Sequence, residues 1–342
     1  MGVVLGYVAT LGVYFCVYNI FAFGLNIQFG YAGILDFTVI TFMAMGGYMA
    51  GVAGLGPSQP GSGIYYILGL SLPWPVALLV GAAAAGALGY LVGLIALRRL
   101  RSDYLAIVTL AAGSIVLGIV SNSNSLFDGS EGLVGVPQPM NGVLKLTPNA
   151  YTVFFLGLCA AIMVICWLVA NRIYRSPLGR TMRAIREDLD VAEAYGKRTF
   201  RIRMTAMVIG CVIVGIGGVL TIWFVTALAP AGWGTSETFV VWAALIVGGR
   251  GNNLGAVVGS FLVAVLFNEA TRFIPAISSL PNLIPEVRNM SIGALVILTL
   301  WFRPQGVVAE RKARFFEVPL RTGSLEPVPM VPAPATGSGA AQ

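Results

Sequence analysis

The charged residues of this chain are concentrated in one segment, Arg172–Arg203, which carries nine of its 21 Lys and Arg residues and four acids, a net charge of +5. Side chains of these types can form local ion pairs or dock a soluble partner. Catalysis is a different matter, because the chain contains no histidine. That absence excludes histidine acid–base catalysis, histidine metal ligation and a histidine-activated nucleophile. We therefore predict a protein that is not an enzyme, with no catalytic residue and no metal site.

Two further classes of site are excluded by pattern. The sequence has no G-x-x-x-x-G-K-[ST] phosphate loop, so the chain should not hydrolyse ATP by itself, and we predict no cofactor of its own. The four cysteines lie in apolar runs without C-x-x-C spacing and are expected to be buried thiols: Cys16, Cys159, Cys166 and Cys211. The net charge of +7 does not indicate nucleic-acid binding, because the basic residues cluster at span ends and in one loop.

The charged segment itself has the pattern of a helix. Ser176 is a good N-cap and Pro177 suits the first helical position, while Gly196 is placed to end the helix. One face is apolar, with Leu178, Met182, Ile185, Leu189 and Ala192 at helical spacing. The segment is either a solvated loop held by local ion pairs, such as one between Arg183 and Glu187, or a helix that docks a soluble partner.

Two glycine-rich stretches interrupt the apolar pattern, GLNIQFGYAGILDF after the first span and GGRGNNLGAVVG in the second half. Each is either a tight turn or a broken helix whose free backbone groups line a solute pathway. Ionisable residues near apolar spans are few, and the spacing of Glu269 and Arg272 favours a simple ion pair. The residues assigned to a pathway are Gly30, Gly33, Asp36, Gly248, Gly249, Gly251, Asn252 and Gly255.

The elements that position these residues are membrane spans, because the chain is 57% hydrophobic and only 10% charged. We predict an all-α bundle of about nine hydrophobic segments, in a range of about eight to ten. Residues 1–310 would form the membrane domain and residues 311–342 a disordered cytoplasmic tail. The Lys/Arg distribution places the charged segment inside and Ser121–Asn149 outside. The prolines of Ile274–Val287 predict an external loop before a last span, Ser291–Phe302.

Several motifs together resemble the branched-chain amino-acid permease family of ABC importers, in particular its LivM-like subunits. They are FGYAGILDF (29–37), LRSDYLAIVTLAAGSI (100–115), GSEGLVGVPQP (129–139) and SPLGRTMRAIREDLDVAEAYG (176–196). The second glycine-rich stretch and RPQG (303–306) agree with the resemblance. It covers roughly residues 20 to 310.

The resemblance implies a cytoplasmic helix that fits a groove on an ATPase subunit, and it favours the docking interpretation of the charged segment. It assigns that coupling role to Arg180, Arg183, Ala184, Arg186, Glu187, Ala192, Glu193 and Gly196, to which we add Gly179, Ile185 and Leu189. The implied partners are a homologous LivH-like permease, two ATPases that bind ATP and Mg, and an extracytoplasmic solute-binding protein. The implied location is the bacterial inner membrane, in contact with the lipid bilayer.

The implied cargo is a branched-chain amino acid. One departure keeps other cargoes open, since residues 36–39 read Asp-Phe-Thr-Val where many relatives have a run with Ser, Gly and His. Similar permeases carry urea, short amides or aromatic acids. From another class, a secondary transporter or channel remains an alternative, although such proteins usually place more ionisable residues within their spans.

Overall fold

A computed structural model describes residues 2–57, 65–99, 102–141, 147–267, 269 and 283–310. The predicted tail, 311–342, lies outside these ranges, and so does Arg272, the expected ion-pair partner of Glu269. The described fold is all-α as predicted, with a single two-stranded pairing as its only sheet.

The helices of the described chain are α1 (Gly2–Leu25), α2 (Val39–Gly54), α3 (Trp74–Arg99), α4 (Ser102–Asn122), α5 (Asn124–Phe127), α6 (Pro148–Arg175), α7 (Pro177–Glu187), α8 (Leu189–Ala194), α9 (Thr199–Val225), α10 (Thr235–Gly248), α11 (Asn253–Gly259) and α12 (Leu283–Phe302). Two π-helices, Asn26–Tyr31 and Ser260–Phe267, continue α1 and α11, and a 3₁₀ turn covers Pro230–Gly232. The strands are β1 (Leu133–Val134) and β2 (Ala227–Leu228), paired antiparallel.

Five helices within the described residues are long and apolar enough to cross a membrane. They cover Val4–Tyr31, Trp74–Arg98, Tyr104–Asn122, Pro148–Arg175 and Thr199–Val225, and two shorter apolar helices cover Val39–Gly54 and Asn253–Leu266. The first and last of the five are central. In each of them 61% of the most apolar stretch is buried inside the protein, against 17% in Tyr104–Asn122. The chain is thus a multi-pass membrane protein built around α1 and α9.

Glycine allows the central helices to approach closely. A Cβ added at Gly46 of α2 would lie 2.5 Å from the carbonyl oxygen and 2.7 Å from the Cα of Gly215 on α9. One added at Gly218 would lie 2.7 Å from the carbonyl carbon of Met43. Backbone atoms cannot move aside as a side chain can, so these glycines set the distance between the helices. The four cysteines are buried free thiols, as predicted.

The last helix starts earlier than the sequence pattern indicates. Helix α12 begins at Leu283, eight residues before the predicted start at Ser291, and it includes Pro285. A proline in the first turn of a helix breaks no hydrogen bond, because the N–H groups of that turn have no partner within the helix. Pro285 therefore does not exclude helix over residues 283–287, and the earlier residues of Ile274–Val287 lie outside the described ranges.

Candidate functional site

The charged segment begins with a sharp turn that the sequence encodes locally. The Ser176 hydroxyl donates to the Ile173 carbonyl at 2.7 Å and accepts from the Gly179 N–H at 3.2 Å. Pro177 occupies the first helical position, which confirms the predicted start of the helix. A Cβ at Gly179 would lie 2.9 Å from the Tyr174 carbonyl oxygen, so only glycine allows α7 to fold back this closely on the end of α6.

The segment contains two helices rather than the single one predicted. At Asp188 the backbone becomes extended, and the Asp188 carboxylate accepts from the Val191 N–H at 3.0 Å. An aspartate that caps its own downstream backbone competes with helix continuation, which explains the break. The short α8 follows, and Gly196, at φ +73°, comes after its end.

The apolar face of the segment is covered by this chain's own spans. Met182, Ile185 and Ala192 are all buried, at 0%, 3% and 6% exposure, and Gly179 is buried as well. Leu178 and Leu189 are half-buried. The assigned coupling residues Gly179, Ile185 and Ala192 therefore support the segment from within, and they present no free surface to another subunit.

The opposite face is open. The assigned coupling residues on it are Arg180, Ala184, Glu187, Glu193 and Gly196. Two apolar side chains that our sequence analysis did not assign share this exposure, Val191 at 50% and Tyr195 at 81%. Val191 and Tyr195 could have been noticed in the sequence as large side chains with apolar surface that lie outside the apolar repeat of the segment. Single exposed apolar side chains are normal on a protein surface, so these two add to the candidate contact surface only together with the charged residues around them.

The two other arginines among the assigned coupling residues, Arg183 and Arg186, have partners within the chain. The guanidinium of Arg183 lies 4.2 Å from the centre of the Tyr174 ring and donates to the Gly179 and Tyr174 carbonyls at 3.3 and 3.4 Å. No ion pair joins it to Glu187 among the described contacts, contrary to the local pairing considered above. Arg186 donates to the Gly30 carbonyl and, at 2.8 Å, to the Glu310 carboxylate.

The two glycine-rich stretches meet each other. The Asn26 side chain accepts from the Gly251 N–H at 2.8 Å and donates to Asn253 Oδ1 at 3.0 Å. The Tyr31 hydroxyl donates to the same Asn253 oxygen at 2.6 Å. The π-helix Asn26–Tyr31 is thereby fixed to the connection between α10 and α11. We call this connection, with the last residue of α10, the glycine loop (Gly248–Asn252).

A terminal segment, Arg303–Glu310, packs at the same place. We call the meeting point of the π-helix, the glycine loop and this segment the junction. The N–H groups of Val307 and Val308 donate to the carbonyls of Val247 and Gly248 at 2.8 and 2.9 Å. Asn252 caps α11 through the Leu254 N–H at 3.0 Å and donates to the Ala309 carbonyl at 3.2 Å. The pathway residues that the structure brings together here are Gly30, Gly33, Gly248, Gly249, Gly251, Asn252 and Gly255.

Asp36 has separate surroundings. It is completely buried, its carboxylate accepts from the Thr38 N–H at 2.8 Å and from the Thr38 hydroxyl, and its carbonyl accepts from the Trp242 indole at 2.9 Å. It therefore holds the irregular stretch between the π-helix and α2. No group of three His, Cys, Asp or Glu side chains suited to a metal occurs within the described residues.

A narrow cleft opens beside this stretch, between α2, α4 and the start of α10. Its cavity volume is about 20 Å³, room for about one water molecule. The walls combine aromatic rings, hydroxyls and aliphatic groups, contributed by Phe37, Ile40, Thr41, Leu110, Gly113, Ser114, Leu117, Trp233, Gly234, Thr235 and Thr238. None of these side chains is charged, so the cleft offers no fixed counter-charge to an ion.

A family comparison and similar known proteins both point to one family. Residues 7–300 match the family described as branched-chain amino acid transport system / permease component. The chain is 30% identical over 321 residues to the high-affinity branched-chain amino acid transport system permease protein LivM of Escherichia coli (strain K12), covering 88% of this chain and 69% of that protein. It is 27% identical over 328 residues to the probable LivM permease of Methanocaldococcus jannaschii, covering 89% and 94%.

A second type of relative also matches. The LivH permease of Escherichia coli (strain K12) is 26% identical over 305 residues, covering 85% of this chain and 91% of that protein. No solved structure gave a significant match. The chain belongs to the family of branched-chain amino acid transport system permease components.

Proposed function

We propose that this chain is the LivM-like permease subunit of an ABC importer that carries branched-chain amino acids across the bacterial inner membrane. The observation that carries this proposal is the family match over residues 7–300, supported by relatives named for branched-chain amino acid transport. Those relatives are not named for urea, amides or aromatic acids. A secondary transporter or channel is no longer needed to explain the chain.

A single permease of this kind needs partners. We propose that a homologous LivH-like permease completes the pathway, that two ATPase subunits supply the energy, and that a binding protein delivers the solute from outside. The absence of a phosphate loop from this sequence supports the placement of ATP and Mg in other subunits.

The surface proposed for the ATPase is the open face of the charged segment. It combines Arg180, Glu187 and Glu193 with the exposed apolar Val191 and Tyr195. Such a surface fits a groove with apolar contact at its centre and charge at its rim. The Lys/Arg excess of Arg172–Arg203 supports a cytoplasmic position, where an ATPase can reach it.

The cleft between α2, α4 and α10 is the proposed wall of the solute path. The cleft must widen to admit an amino acid. Its hydroxyls would then accept hydrogen bonds from the ammonium group and donate to the carboxylate, and its rings would pack on an aliphatic side chain. The two glycine-rich stretches would then connect the solute path to the charged segment. That their residues line the path stays a prediction.

The test is transport by the reconstituted complex. The chain would be co-expressed with its LivH-like and ATPase partners and reconstituted in liposomes. ATP would be enclosed in the lumen, which corresponds to the cytoplasm, and the loaded binding protein would be added outside. We expect ATP-dependent uptake of leucine, isoleucine or valine and no ATP hydrolysis by the permease alone. Uptake of urea or benzoate but not of these amino acids, or ATP hydrolysis by this polypeptide alone, would overturn the proposal.

A further inference from the structure

The side chain of Arg186 stands where three distant parts of the chain meet. Its guanidinium bonds the Gly30 carbonyl, 156 positions away, and the Glu310 carboxylate, 124 positions away. The side chain is only 19% exposed, and that of Glu310 only 20%. Although Arg186 lies on the charged segment, its charged group therefore points into the junction.

The Gly30 carbonyl is a specific target for a cation. The helix formed by α1 and its π-helical extension ends here, and the last carbonyls of a helix have no partner within it. These carbonyls also carry the negative end of the helix dipole, which favours a positive group. Gly33, at φ +67°, turns the chain away, and a Cβ there would lie 3.0 Å from Arg186 Cγ, so the glycine leaves room for the arginine.

Glu310 extends the contact to the glycine loop. A Cβ added at Gly251 would lie 2.7 Å from the Glu310 carboxyl carbon, so the carboxylate rests directly on that loop. The loop is in turn bonded to the π-helix through Asn26. A displacement of α7 would therefore pull on the helix end through Gly30 and on the glycine loop through Glu310 at the same time.

From this geometry we infer that Arg186 is a positioning residue which transmits movement of the charged segment to the end of α1 and to the glycine loop. The inference rests on the proposed function, because it gives the coupling surface a connection into the membrane domain. Its second support is that Arg183 contacts Tyr174, whose ring packs on Tyr31 at 5.4 Å between centres, so the helix end is held from two sides. Chains of hydrogen bonds and packed rings of this kind are one route by which distant sites are coupled, and altering one member tests that route.

The experiment measures the number of leucine molecules taken up per ATP hydrolysed by the reconstituted complex. Arg186→Gln should lower this ratio about tenfold, while ATP turnover stays within about twofold of the unaltered complex. Arg172→Gln, which changes an exposed arginine at the end of α6, is the matched control and should leave the ratio unchanged. Arg186→Lys keeps the charge but loses the forked geometry, and it should recover part of the ratio.

The role of Glu310 provides a second, independent arm. Glu310→Gln should lower the ratio by about threefold, because the Gly30 contact remains. The double variant should behave like Arg186→Gln alone, since Glu310 acts through Arg186. Independent effects that multiply in the double variant, an unchanged ratio in Arg186→Gln, or a parallel fall of uptake and ATP turnover would each overturn the inference. A failure of the unaltered complex to take up leucine would instead overturn the proposed function.

Discussion

Glycine has different tasks in the two main regions of this molecule. In the core between α2 and α9, Gly46, Gly215 and Gly218 lie in regular helices, and they are needed because backbone atoms fill the space a side chain would take. At the junction, Gly33, Gly249, Gly251 and Gly306 have φ values of +67°, +119°, +82° and +74°. There the backbone angle, rather than space alone, requires glycine.

The groups that surround the core glycines and the junction glycines also differ. The core glycines lie against the backbone of a neighbouring helix within an apolar core, whereas the junction is held by the polar groups of Asn26, Asn253, Arg186 and Glu310. Apolar packing is not directional, while hydrogen bonds and positive φ angles specify one arrangement of the segments they join. We therefore expect changes in the core to affect folding first, and changes in the junction to affect transport first.

The largest effect is expected where the charged segment itself belongs to the core. Ile185 is 3% exposed, so Ile185→Asp removes apolar burial and places a carboxylate among apolar groups. The cost is about 3 to 5 kcal/mol, enough to lower the amount of folded protein in the membrane. The measurement is membrane abundance together with thermal unfolding in detergent. Asp190→Ser, at an exposed position of α8, is the control; equal behaviour of the two variants would show that this face is not core.

The next effect concerns helix spacing. Gly46→Val should destabilise the fold by about 1 to 3 kcal/mol, because the new side chain meets the backbone of Gly215. Thermal unfolding of the purified chain measures this loss. Gly157→Val on α6 is the matched control, since a Cβ there has nothing within 4 Å. If both variants melt at the same temperature, the close approach of α2 and α9 is not what the core glycines provide.

A local cost no larger than that of Gly46→Val, but with a clear effect on transport, is expected at the junction. Asn26→Ala leaves the buried Gly251 N–H without its acceptor, a local cost of about 1 to 3 kcal/mol. We expect leucine uptake to fall about tenfold at nearly normal abundance. Asn122→Ala, which removes an exposed bond to the Gly118 carbonyl, serves as the control. A loss of abundance in proportion to the loss of uptake would mean that the junction is simply part of the core.

The contrast also explains what the sequence could predict. The start of α7 at Ser176 and Pro177 is encoded by neighbouring residues, and so it was predictable. The close-packed glycines of α9 were predictable because small residues recur within an apolar span. The break at Asp188 was missed, because aspartate fits the polar side of a continuous helix as well as it fits a cap.

The partners of Arg186 could not be predicted from spacing. Gly30 and Glu310 are brought to it by the packing of α1, α7 and the terminal segment, and no local pattern records that packing. The same holds for the burial of Ile185 and Ala192, since an amphipathic pattern shows that a face must be covered but not by what. The residues assigned to one coupling surface consequently divide into an open set and an inward set.

The central claim is that the open face of the charged segment contacts the ATPase, and its most direct test is the accessibility of a cysteine placed at Tyr195. The position is 81% exposed, and the four native cysteines are buried, so background labelling should be low. We expect Tyr195→Cys to react with an impermeant thiol reagent only from the cytoplasmic side, and to become protected when the ATPase subunits are assembled. Reaction from the outside, or full reactivity in an assembled complex that transports leucine, would contradict the account.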